Sequence, residues 1–242
     1  MRDEEVEIEM SDGTMKAFFR APDGKGPWPA VLHYPHGPGI DAGFHAMTKR
    51  LAGDGYAVLM PNIYYRTTSG PAFPVGFDFK DPKTRERFME LTAPLTPGAM
   101  ERDALSYLGW LGQYATGAMG VVGYCFTGKM ALRSAAAAGP NIAAAASFHS
   151  GGLITDGSDS PHLVLPRVTA RLYFGHATND AGIPAEAISR FEVALKAWGG
   201  RYESETYPAL HGWTVPGGHV YDEPQAERHY AKLTALFAET LN

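Results

Sequence analysis

Cysteine is nearly absent from this chain: Cys125 is the single one in 242 residues. An internal disulfide is therefore impossible. The composition suits a reducing compartment, where a lone thiol is a candidate nucleophile. Basic clusters are missing too, and the formal net charge of -5 argues against a nucleic-acid partner or an anionic membrane surface. No stretch approaches the roughly 18 apolar residues of a membrane span. The N-terminal Met-Arg-Asp-Glu-Glu-Val-Glu places acids where a signal peptide carries bases and an apolar run. A soluble, cytoplasmic protein is the expectation.

What is present describes an ordinary globular chain. Hydrophobic residues make up 45% and charged residues 19%, and the length suits one domain spanning 1–242. Val6, Ile8 and Met10 alternate with glutamates, and Ser11-Asp12-Gly13 turns the chain into a second strand at Met15 to Arg20, so the fold should open on an antiparallel hairpin. Further strands are expected at Pro29 to Tyr34, Tyr56 to Met60, Met119 to Val122, Ile142 to Phe148, Arg171 to Phe174 and Tyr202 to Tyr207. Helical patterns fall between them, at about 43–53, Arg85 to Thr92, Gly98 to Tyr114, Thr127 to Ala138, Pro184 to Trp198 and Glu223 to Leu241. Strands alternating with helices predict an α/β fold, a mostly parallel sheet covered on both faces. Residues 67–82 show no periodicity and read as a surface or lid loop. Residues 149–166 read as a polar loop.

Ligands in open α/β sheets bind at the carboxyl ends of the strands. Cys125 follows the strand at Met119 to Val122, on a tight turn of Gly123, Tyr124, Cys125 and Phe126 that leads into a helix. A strand reversing sharply into a helix presents the turn residue clear of the sheet beside a helix N-terminus, which favours a thiolate. Strand, Gly-x-nucleophile turn and helix are the parts of a nucleophile elbow, with sulfur in place of oxygen. The plainer reading is a small buried hydrophobe.

Two more groups sit just past strands: Asp180 after Arg171 to Phe174, and His211 after Tyr202 to Tyr207. Imidazole can take and return a proton near working pH, and a carboxylate can orient it and offset its charge. Taken singly, Asp180 could cap the helix at Pro184 and His211 could be a turn residue. The chain order nucleophile, acid, histidine is that of the α/β-hydrolases. Two backbone N–H groups are needed for an oxyanion. Phe126 supplies one, and the Gly/Pro-rich loop after Tyr34 supplies the other, most simply from Gly37, although that loop could also merely turn the chain. The spacing of His33, His36, His176 and His211 matches no metal motif.

These motifs resemble the dienelactone hydrolase family, cysteine-dependent members of the α/β-hydrolase fold. Gly-Tyr-Cys-Phe at 123–126, the Asp54 to Arg66 run, Gly-His-Ala-Thr-Asn-Asp-Ala-Gly-Ile-Pro at 175–184 and His-Gly-Trp at 211–213 carry the resemblance over nearly the whole length. It implies Cys125 as nucleophile, Asp180 and His211 as its partners, no cofactor and no metal. The implied reaction is hydrolysis of a small-molecule ester or lactone, of carboxymethylenebutenolidase type, through an acyl-enzyme. A thioesterase, a general carboxylesterase and a non-catalytic binding protein remain as alternatives.

Two departures stand out. Thr127 occupies the place where the family elbow usually has glycine, with Gly128 one step later. His36 occupies the place of a glutamate that helps control the thiol proton, so His36 either serves as proton acceptor or thiolate stabiliser, or only lines the pocket. The arginines that bind the acidic lactone have no clear counterpart, and Trp213 points to an apolar or aromatic acyl pocket.

Overall fold

The computed structural model describes residues 1–242 except Val75, Asn179 and Asn242. Val75 belongs to the expected lid loop and Asn179 to the 175–184 motif, and both lie outside the described residues.

Strands β1 (Arg2–Met10) and β2 (Gly13–Ala21) form the expected hairpin, tight enough that Met10 pairs with Gly13. β2 then pairs antiparallel with β4 (Ala57–Pro61). From β4 the sheet is parallel, through β3 (Ala30–His33), β5 (Met119–Tyr124), β6 (Ile142–Phe148), β7 (Arg171–Ala177) and β8 (Tyr202–Tyr207). The eight-stranded order is β1-β2-β4-β3-β5-β6-β7-β8. Because β3 lies between β4 and β5, successive connections run to opposite sides of it. The loops leaving β3 and β5 therefore meet at one edge, where ligands bind in such sheets.

Side chains alternate along the strands with period two, and the two sets enter separate cores. Leu32, Val121, Ala145, Leu172 and Phe174 pack beneath α3 (Pro97–Gly112), α4 (Gly128–Ala138) and α5 (Ala185–Trp198). Val31, Val122, Ala146, Phe148 and Tyr173 face α1 (Ala42–Gly53) and α6 (Glu223–Thr240) on the other side. Helix α4 is buried on almost every side. Its alanines permit that close approach, since a bulkier residue would hold it off the sheet.

Helix starts follow capping chemistry. Asp41 Oδ1 accepts from Phe44 N–H at 2.9 Å and opens α1, and Thr96 Oγ1 accepts from Ala99 N–H at 3.2 Å and opens α3. The region 67–82 carries no helix or strand among its described residues before α2 (Pro82–Thr92). The polar loop after β6 differs from expectation. It contains a 3₁₀ segment, Pro161–Arg167, whose Val164 and Leu165 are buried beside α4 and α5.

Candidate active site

β5 runs two residues beyond its expected end, because Gly123 and Tyr124 continue the ladder against Ser147 and Phe148 of β6. Cys125 follows at once with φ of 56°, left-handed backbone that a cysteine seldom adopts. A 3₁₀ turn, Cys125–Thr127, carries the chain into α4. Gly123 is required by contact: a Cβ there would lie 2.3 Å from the Thr127 carbonyl oxygen. Thr127 fits where the family has glycine, and its hydroxyl knits the elbow together. Its Oγ1 accepts from Tyr124 N–H and donates to Tyr124 O, both at 2.9 Å. Gly128, one step later, is also required by contact, since a Cβ there would sit 1.6 Å from Ser150 Oγ.

Asp180 and His211 meet. His211 Nδ1 lies 2.6 Å from Asp180 Oδ2, while Asp180 Oδ1 accepts from Gly182 N–H at 2.8 Å. Both carboxylate oxygens are thereby used, and α5 begins at Ala185 without a side-chain cap, so Asp180 is not a helix cap. The three residues form one electrostatic unit. Burial alone would raise the Cys125 thiol pKa, but the hydrogen-bonding and charge of His211 and the backbone N–H groups of Gly37 and Phe126 bring it below its ordinary value. Burial alone would lower His211, yet Asp180 and Cys125 raise it to about 10. Both directions favour a thiolate facing an imidazolium. Burial works to raise the Asp180 pKa, and its bonds to His211 and Gly182 hold it below normal.

The other expected residues divide. Gly37 and Phe126 both aim N–H groups at the Cys125 sulfur. The next peptide, Gly37–Pro38, is anchored by the Tyr64 hydroxyl, which donates to Gly37 O at 2.6 Å. His36 turns toward α1: its Nε2 is 3.0 Å from Asp41 Oδ2 and its ring packs on Phe44 at 4.6 Å. Trp213, expected in the pocket wall, is 0% exposed and stacks on Tyr207 at 4.8 Å, so it adds no surface to the site. Its size and apolarity sent it to the core behind His211.

Some residues of this neighbourhood carried no motif. His149 directly follows β6, fully buried, 5.0 Å from the His211 ring. The strand-end rule that singled out Cys125 applies to it equally and would have found it. Lys129, four residues after Cys125, holds its Nζ 4.0 Å from the centre of the Phe126 ring. Phe126 meets Phe88, which meets Phe79 and Phe73, an aromatic row running from the elbow into the 67–82 loop. Among the described residues, no group of three or more His, Cys, Asp or Glu side chains is arranged to hold a metal, and no helix is long and apolar enough to cross a membrane.

A mostly parallel sheet opening on an antiparallel hairpin, with a strained residue between β5 and α4, is an α/β-hydrolase fold. A sequence model of the Dienelactone hydrolase family matches residues 15–241, and the chain belongs to that family. It is 23% identical over 228 residues to a protein of Synechocystis sp. named "Putative carboxymethylenebutenolidase", covering 93% of this chain and 91% of that one. A protein of the same name from Methylorubrum extorquens is 25% identical over 243 residues, with 97% and 80% covered. Among solved structures, a "Putative Dienelactone Hydrolase" from Klebsiella pneumoniae superposes with a TM-score of 0.85 at 22% identity, covering 98% of each chain. The dienelactone hydrolase of Anabaena variabilis superposes at 0.70 with 18% identity, covering 100% and 99%. The structural likenesses speak for the fold, and family membership supports a hydrolase role.

Proposed function

We propose that the protein hydrolyses small esters or lactones, in the manner of a carboxymethylenebutenolidase, through an acyl-enzyme on Cys125. The observation that carries this reading is the convergence on one sulfur of the His211 imidazole, backed by Asp180, and the N–H groups of Gly37 and Phe126. The thiolate attacks the carbonyl carbon and the carbonyl oxygen takes up negative charge. That oxygen moves into the reach of the two N–H groups, donors already oriented before the charge forms. The intermediate collapses and the leaving alkoxide takes the proton from the His211 imidazolium. Water then gives a proton to His211 as it attacks the thioester, and the acid departs while Cys125 returns as thiolate.

The walls suggest what is cleaved. The row of Phe126, Phe88 and Phe73 suits an apolar or aromatic portion of the substrate, with Lys129 as the neighbouring cation. Arg66, of the Asp54 to Arg66 motif, spends its guanidinium on Asp103 and Asp12 and is not free to bind substrate. A thiol with lowered pKa oxidises readily. The reading therefore places the protein in the reducing cytoplasm.

The test is turnover of a short p-nitrophenyl ester by wild type, Cys125→Ala and Cys125→Ser, with mass spectrometry of the quenched enzyme. The expected result is an acyl adduct on Cys125 and loss of turnover in the alanine variant by at least about a thousandfold. Absence of both turnover and adduct across esters, lactones and thioesters would overturn the reading in favour of a binding protein.

A further inference from the structure

Among the described residues two non-glycines adopt positive φ: Cys125 at 56° and His149 at 40°. Each is the first residue past one of the adjacent strands β5 and β6. Left-handed backbone in a bulky residue persists only where its surroundings over-determine it, and such residues gather at functional sites. His149 is 0% exposed and held on several sides. Its N–H donates to Gly175 O of β7 at 2.7 Å, its Nε2 lies 2.9 Å from Thr214 Oγ1, and its ring meets Trp213 edge-on at 5.0 Å. Its Nδ1 has no partner among the described residues. On its remaining side stands His211, ring centres 5.0 Å apart at 63°.

His211 needs such support. It sits on the irregular chain after β8, its side chain is 37% exposed, and its bond to Asp180 fixes one atom of the ring. Its hydrogen bonds to Asp180 and Cys125 both lie in the plane of the ring and leave its faces to be held by packing. We infer that His149 is the positioning residue of His211: it ties the His211 loop to the end of β6 through Thr214 and backs the imidazole, holding it toward Cys125. This rests on the reading of His211 as the base of a thiol hydrolase. Histidine suits the place because it tolerates left-handed backbone better than β-branched residues and reaches Thr214 with a polar atom. Burial and the nearby His211, His36 and His229 keep its ring neutral, so it adds no charge against His211. Tyr124, 5.9 Å away on β5, completes its surroundings.

The test compares wild type with His149→Phe, His149→Gln and Thr214→Val. Two readouts are followed: iodoacetamide alkylation of Cys125 against pH, and kcat with KM for a p-nitrophenyl ester. His149→Phe keeps a ring and loses the bond to Thr214. It should lower kcat about 10- to 100-fold with KM changed by less than about threefold, and move the acid limb of alkylation to higher pH. His149→Gln, whose amide reaches the place of Nε2, should recover part of both. Thr214→Val removes only the hydroxyl and should move both readouts in the same direction by less. A folded Phe or Val variant with wild-type kcat and alkylation profile overturns the inference. Alkylation requires no ester turnover. If wild type cleaves no ester, the proposed function fails on that observation, while the alkylation profiles still judge whether His149 holds His211 against the thiol.

Discussion

His211 and His149 are the same residue with rings 5.0 Å apart, and the fold drives them in opposite directions. Burial works to discharge both. His211 lies between a carboxylate and a thiol, which overcome that cost and lift it to about 10. His149 has no carboxylate against it, only other histidines, and falls well below its ordinary value. The protein thus separates charged from neutral imidazole by what each ring touches. The charged ring faces the cleft and the neutral ring faces the core.

The neutral side predicts the largest effect. His33 is held down to about 3, His176 and His229 to about 4, and His149 also low, all mainly by burial. Their folded pKa values lie below the unfolded value near 6.5. The stability they contribute is therefore complete above that pH and lost as pH falls below it, because the unfolded chain then takes up protons that the native chain refuses. His211 has the opposite sign: its contribution is intact below 6.5 and is lost as pH rises through about 10, so it leaves the acid window unchanged. At pH 5 each buried ring costs up to about 2 kcal/mol, several for the set. Urea unfolding at pH 7, 6 and 5 should show this fall. A flat stability across that range would mean the four rings are not buried neutral.

Asp180→Asn attacks the charged side. Without the carboxylate, burial should pull His211 down, and the thiol, facing a neutral ring, should rise. Alkylation of Cys125 at pH 7 should slow, its acid limb should move to higher pH, and kcat for a p-nitrophenyl ester should drop by about 10² to 10⁴. An unaltered alkylation profile would show that Asp180 does not charge the imidazole, and the contrast between the two histidines would need another cause.

The same contrast explains what the sequence could show. Elements were legible because period-two and period-3.6 patterns, caps and glycine stops are local. The elbow was legible for the same reason: Gly123, Cys125 and α4 are contiguous, and their geometry follows from backbone sterics. Asp180 and His211 stood out by their place after strands. The supports of His211 are tertiary and left no local mark. Trp213 read as a pocket residue because nothing nearby in sequence announces Tyr207 and His149, which enclose it. Thr127 raised a question that its hydroxyl answers by bonding to Tyr124, and the need for glycine at Gly128 shows only in the approach of Ser147 of β6 and Ser150 just beyond it.

That approach gives a third test. In Gly128→Ala the new Cβ would meet Ser150 Oγ at 1.6 Å and Ser147 Oγ at 2.3 Å, which can turn away, and Ser150 Cβ at 2.7 Å, which cannot, so the chain at the end of β6 must shift from α4. Overpacking of this kind costs about 1–3 kcal/mol. A shift between β6 and α4 displaces His149 and Cys125 together, since they directly follow neighbouring strands. Thermal unfolding should register the loss, and Gly128→Ala with Ser150→Ala should recover part of it. An unchanged Tm in the single variant would show that the crossing gives way freely.

The smallest expected effect lies opposite the histidines, on the side of the thiol that backbone groups occupy. The Tyr64 hydroxyl, in a buried side chain, donates to Gly37 O at 2.6 Å and so anchors the peptide that follows the Gly37 N–H facing Cys125. Tyr64→Phe leaves that carbonyl without its donor, at a cost of about 1 kcal/mol of stability. Its catalytic effect should fall on kcat, because the Gly37 N–H is called on most strongly when negative charge develops in the transition state and little when the neutral ester binds. A loss of about three- to tenfold in kcat with KM unchanged is expected, with the alkylation profile of Cys125 moved slightly toward higher pH as one N–H becomes less well aimed. A rise in KM with kcat preserved would instead make Tyr64 a substrate contact, and the two sides of the thiol would no longer divide into one set by side chains and one set by the backbone.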